Sequence, residues 1–90
     1  MFTIEKNDKK IKILCNQTLI FDDVFDVNDF HFEIDSDRFT LYEKQGNKLV
    51  FHRDKNNLWS VFSSYQMTRQ MLYVTFESLI DLTNKLTNIL

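Results

Sequence analysis

Ninety residues, 43% hydrophobic and 14% aromatic with nine Phe, suffice for one core and no second domain, so 1–90 reads as a single domain. That aromatic content argues against disorder. A formal net charge of −2 leaves no general basic excess for phosphate binding, and one cysteine, Cys15, rules out an internal disulfide.

The chain opens with a period of two. Phe2-Thr3-Ile4-Glu5-Lys6 alternates, Lys10-Ile11-Lys12-Ile13-Leu14-Cys15 alternates again, and Asn7-Asp8 between them suits a tight turn. Thr18-Leu19-Ile20-Phe21 is a short apolar run, read as a third strand. In Phe30-His31-Phe32-Glu33-Ile34 the two aromatics and Ile34 face one way, His31 and Glu33 the other. Asp35-Ser36-Asp37 breaks the pattern before the strand Arg38–Lys44. Gln45-Gly46-Asn47 is the strongest hairpin signal, because the lone Gly adopts a positive φ without a Cβ clash. Lys48–Arg53 returns, Lys55-Asn56-Asn57 turns, and Leu58–Ser64 follows with Leu58, Ser60 and Phe62 on one face and Trp59 and Val61 on the other.

The period then changes. Met71–Val74 reads as a last strand. From Thr75, an N-cap residue, Phe76, Leu79, Ile80, Thr83, Leu86 and Leu90 fall on a helical stripe widened by Leu82 and Ile89, with Glu77 favourable in the first turn. A helix beginning near Gln66 or Met67 is the alternative, weakened by Tyr73-Val74-Thr75, poor helix formers. The fold class is α+β: a curved antiparallel β-meander of about five to seven strands, with a small barrel as its closed form, packed by a C-terminal amphipathic helix.

Little catalytic chemistry can be assembled. With no proline and one glycine, turns fall to Asn, Asp, Ser and Lys, and phosphate-cradling loops are excluded. Cys15 lies in an apolar run and reads as a buried small hydrophobe. His31 and His52 sit on strands without the spacing of a nucleophile–base pair. One Cys and two His are too few for a zinc site. Asp26, Asn28 and Phe30 break a calcium-loop pattern at its third ligand, leaving at most a weak ion at Asp35 and Asp37. No cofactor, metal or enzymatic activity is expected. No run approaches the ~20 apolar residues of a membrane span, and the first residues do not resemble a secretory leader. A cytoplasmic protein that does not bind membranes is the expectation.

Charge is unevenly distributed. Residues 21–37 hold seven carboxylates (Asp22, Asp23, Asp26, Asp29, Glu33, Asp35 and Asp37) and no Lys or Arg, whereas residues 1–20 and 38–55 are net basic. The acidic run is interleaved with Phe21, Phe25, Phe30 and Phe32, unlike a solvating tail. One reading is an acidic loop that balances the basic hairpins. The other is a partner surface. In it, Asp22, Asp23, Asp26, Asp29, Asp35 and Asp37 supply charge, with Phe25 and Phe30 as anchors, in a small inhibitor that covers a basic nucleic-acid-binding surface of another protein. Two alternatives stand beside it. One is a structural or accessory subunit, a homodimer joined through a sheet edge or Trp59. The other is direct nucleic-acid binding through Lys9, Lys10, Lys12, Lys44, Lys48, Arg53 and Lys55, with Tyr42 or Trp59 stacking on bases. Trp59, with Tyr65 and Tyr73, also reads as core.

Overall fold

The computed structural model describes residues 1–43, 46, 48–64, 67 and 69–89. Its strands are β1 (Phe2–Asn7), β2 (Lys10–Cys15), β3 (Thr18–Val24), β4 (His31–Asp35), β5 (Arg38–Tyr42), β6 (Lys48–Arg53), β7 (Trp59–Ser63) and β8 (Arg69–Leu72), followed by helix α1 (Phe76–Thr87). They form two antiparallel sheets, ordered β1-β2-β3 and β4-β5-β6-β7-β8. This corrects the expected single meander of five to seven strands, and neither sheet closes into a barrel among the described strands. The split falls at residues 25–30. There Phe25 and Val27 turn into the core, and Asp26 folds back so that its Oδ1 accepts from the Asn28 amide at 2.9 Å. A segment anchored inward twice in three residues leaves β3 without a following strand to pair with.

Turn chemistry sets the registers. Phe2 to Asn7 pair with Cys15 to Lys10, which makes Asp8-Lys9 the two-residue loop, one residue beyond the expected Asn7-Asp8. Cys15 pairs with Thr18 across Asn16-Gln17, whose φ values of 49° and 72° match the double left-handed turn that suits strand twist. Within β3 a bulge at Ile20 lets Ile13 pair with Phe21 and Leu14 with Leu19. The extra residue explains why Ile20 and Phe21, adjacent in sequence, are both fully buried. Of the Gln45-Gly46-Asn47 turn only Gly46 is described, at φ +100°, a conformation that strains any residue with a Cβ. Asp54 organises the β6–β7 turn, its Oδ1 accepting from the amides of Asn56 (2.8 Å) and Leu58 (3.0 Å).

The core joins inward faces from both sheets and the helix. Phe21, Phe39 and Phe51 are fully enclosed, each side chain contributing roughly 1.5–3 kcal/mol by leaving water. Phe39 meets Phe51 edge-on at 6.1 Å, and Phe51 meets Phe2 at 6.3 Å, linking the sheets. Trp59 (4% exposed) and Val61 are core residues, so the strand turns the opposite face, Ser60 and Phe62, outward. Arg53 stands 5.9 Å over the Trp59 ring. Tyr73 is exposed; the expectation for Tyr65 lies outside the described residues.

The helix begins at Phe76, not near Met67, because Thr75 caps it: its Oγ1 accepts from the Ser78 amide at 3.2 Å. Leu79, Leu82, Thr83 and Leu86 form its buried stripe, while Phe76 at the first turn is largely exposed. Thr83 tolerates burial by donating to the Leu79 carbonyl at 3.3 Å. Lys85, paired with Asp81 at 3.1 Å, donates to the Phe2 carbonyl at 3.2 Å and ties the helix to β1. The last strand, β8, lies two residues earlier than Met71–Val74, and Val74 is buried outside any strand. No helix among the described residues is long and apolar enough to cross a membrane.

Candidate functional site

The acidic segment divides into two structurally distinct halves. The first half is packed. Lys12 pairs with Asp22 on one side and Glu5 on the other, so these three side chains form a cross-strand row of alternating charge on the outer face of the first sheet. Asp23 Oδ1 accepts from the Val24 amide at 2.7 Å. The loop beyond is pinned to the β1–β2 turn, the Phe25 amide donating to the Lys9 carbonyl at 3.4 Å. Lys6, Lys9 and Asp26 line one cleft there, with Phe25 and Val27. The Asp26 amide approaches Glu43 Oε2 at 3.5 Å, and Glu43 is itself buried at 3% exposure.

The second half is open. All five residues of β4 are exposed, and so are Asp29 before it and Asp37 after it. Asp29 donates its amide to the Asp26 carbonyl at 3.1 Å and leaves its carboxylate outward. Asp35 Oδ1 accepts from the Ser36 amide at 2.8 Å, and Asp37 stands 3.7 Å from His52 Nε2. On the outer face, Glu33 neighbours Thr40 and Asp35 neighbours Arg38. His31 stacks on Tyr42 with ring centroids 5.0 Å apart. An open groove beside them is lined by Glu33, Asp35, Arg38, Tyr42 and Lys48. On the inner face, Phe32 stacks on Phe39 at 5.6 Å yet is 42% exposed, and Ile34 is 49% exposed. The alternation of Phe30-His31-Phe32-Glu33-Ile34 matches the two faces; among the described residues the apolar face is covered only in part, Phe30 being half-buried and Phe32 and Ile34 about half exposed.

The structure therefore redistributes the sequence-derived site residues. Asp29, Asp35 and Asp37 share the exposed stretch, joined by Glu33, which belongs to the same run. Asp22, Asp23 and Asp26 lie on the packed side. Phe25 is corrected from anchor to core: it is 3% exposed and packs edge-on against Phe21 at 5.6 Å and against Phe30 at 6.0 Å. Phe30 is half-buried against the core. Sequence reasoning missed Phe32 and Ile34 as surface residues, because alternation identifies an apolar face but not whether another element lies over it.

The other candidate chemistries are placed as follows. Cys15 is buried (1% exposed), and burial raises its thiol pKa, which disfavours the nucleophilic thiolate. His31 and His52 lie on the opposite face of the other sheet. Among the described residues no three His, Cys, Asp or Glu side chains gather into a metal-binding group. Trp59, 4% exposed, offers little surface to a dimer contact or to base stacking. Arg53 is occupied by Trp59 and by donating to the Ser36 carbonyl at 2.9 Å. Lys9, Lys10 and Lys12 belong to the first sheet and its turn, Lys48 and Arg53 to the second. No protein family, curated protein or solved structure matches this chain.

Proposed function

We propose that this chain is a non-enzymatic protein-binding module that covers a basic, nucleic-acid-binding surface of another protein and so acts as an inhibitor of it. The observation that carries this reading is the stretch from Asp29 to Asp37, in which Asp29, Glu33, Asp35 and Asp37 are exposed with no Lys or Arg among them in sequence, Asp35 facing Arg38 across the strand and Asp37 standing 3.7 Å from His52. Carboxylates held on and around a strand stand where phosphates of a nucleic acid would stand. Their field steers a basic partner into contact, and side chains such as Phe30 and Phe32 add apolar area once water is expelled. The packed half of the segment, balanced by Lys6, Lys9 and Lys12, holds the fold together.

The test is a pull-down from a lysate of the source cells using the wild-type chain, the quadruple variant D29N/E33Q/D35N/D37N and the control D22N/D26N, with and without added nucleic acid. The expected result is retention of a basic nucleic-acid-handling protein by wild type and control. That retention is lost with the quadruple variant, at high salt, and in competition with nucleic acid. Equal retention by the quadruple variant, or no salt-sensitive partner, overturns the reading.

A further inference from the structure

The two sheets have four edges, and three are guarded. β1 lies against α1, fastened by the Lys85–Phe2 hydrogen bond. β3 carries a bulge and places Asp23 on the same face as the buried Ile11, an inward-pointing charge at the edge. β8 is only four residues long and begins with an exposed Arg69. Bulges, inward charges, short strands and covering elements are the devices by which sheet edges avoid pairing with other chains.

The fourth edge, β4, carries no bulge and no inward-pointing charge; the charges it does carry, Glu33 and Asp35, stand on its outward face. Its register to β5 runs unbroken over five residues, from His31–Tyr42 to Asp35–Arg38, and among the described residues it pairs with β5 alone. Its inward positions are Phe32 and Ile34, apolar and about half exposed. Its outward positions include Glu33 and Asp35, flanked by Asp29 and Asp37.

We propose that β4 is a docking edge that takes up an extended segment of the partner protein as a sixth strand of the larger sheet. This rests on the reading of the chain as a module for a basic partner, and specifies how contact is made. The occupant follows from the alternation of the edge. A strand beside β4 sets alternate side chains next to Phe32 and Ile34, and the intervening ones next to Glu33 and Asp35. The segment that fits is therefore apolar on one face and basic on the other. Main-chain hydrogen bonds supply affinity, and the alternating side chains supply selectivity. A second copy of this chain is the competing occupant: the antiparallel register that pairs all of residues 31–35 sets Phe32 beside Ile34 but places Glu33 opposite Glu33, where like charges repel, whereas a basic segment meets Glu33 and Asp35 with opposite charge.

The probe is an end-blocked peptide of alternating Lys and Val. It is compared with a block-sequence peptide of the same composition and with an alternating peptide N-methylated at every second residue, all measured by calorimetry at low salt. The diagnostic variant is Ile34→Glu, which makes the surface more negative but puts a charge on the inward face of the edge; circular dichroism and a thermal melt verify its fold. Strand addition predicts that the alternating peptide binds more tightly than the block peptide. It also predicts that N-methylation of the correct alternate set, or I34E, weakens binding by about tenfold or more through lost main-chain bonds and a blocked face. If both unmethylated peptides bind equally and I34E binds at least as tightly as wild type, contact is electrostatic adsorption. The basic-partner reading then survives while strand addition falls. If neither binds, both fall. Self-association of the free chain in sedimentation, abolished by I34E, would assign the edge to a second copy and also overturn the proposal.

Discussion

β3 and β4 are two strands of one acidic, aromatic-rich run, and both are sheet edges, yet they have opposite fates. β3 sends Ile20 and Phe21 into the core, sets Asp22 beside Lys12, and carries Asp23 as an inward charge. β4 keeps every residue exposed, Phe32 and Ile34 included. The same residue types are structural in one strand and available in the other. Composition does not separate them. A packed basic hairpin and a bulge hold the first, whereas all five residues of the second are exposed. The lesson is that a charge run is judged by its neighbours in space, not by its density along the chain.

The comparison can be broken most sharply at its aromatics. Phe21→Ala removes a fully enclosed ring and should cost about 3–5 kcal/mol, whereas Phe32→Ala should cost about 1–2 kcal/mol, because Phe32 is 42% exposed and is held by its stacking contact with Phe39. Urea denaturation of both variants measures this, and equal costs would show that the edge ring is as structural as the core ring. The next largest effect is expected at the cap. Thr75→Ala loses the Ser78 contact and should lower stability by about 1 kcal/mol, measured by the same denaturation. Exchange sharpens the comparison directly: amides of central β6 should outlast those of β4 that are not bonded to β5. The smallest effect concerns charge. Asp22→Asn should destabilise by a few tenths of a kcal/mol through its lost neighbour Lys12, while Glu33→Gln should leave stability unchanged within error. Cys15 supplies an independent check of packing on the β3 side. A thiol reagent should modify it only as fast as the chain opens, since burial both shields the sulfur and opposes its ionisation.

Much of the local architecture was legible in the chain. Alternation marked nearly every strand, Thr75 marked the helix start, and Leu79, Leu82, Thr83 and Leu86 marked its stripe. These succeed because period and capping depend on nearby residues alone. The half-buried face of β7 was less legible, since Trp59, Val61, Leu58 and Phe62 are all apolar or aromatic and only packing selects between them. The acidic run was legible as an excess of carboxylates but not as a geometry. Asp22, Asp26 and Asp35 look alike in sequence, and so do Phe25, expected as an anchor and found in the core, and Phe32, found about half exposed.

An α+β chain of short antiparallel strands, a capped C-terminal helix and a concentrated acidic run are readable from the residues alone. Each of these follows from residue period, turn chemistry and composition, which act over a few residues. The division of the strands into sheets of three and five, the burial of Phe25 and Trp59, and the exposure of β4 are visible only in the folded chain. Those outcomes depend on contacts between residues far apart in the chain: Phe25 with Lys9, Phe2 with Phe51 and Lys85. An apolar face becomes core or surface according to what is brought to lie over it, and that is settled by the packing of the whole chain.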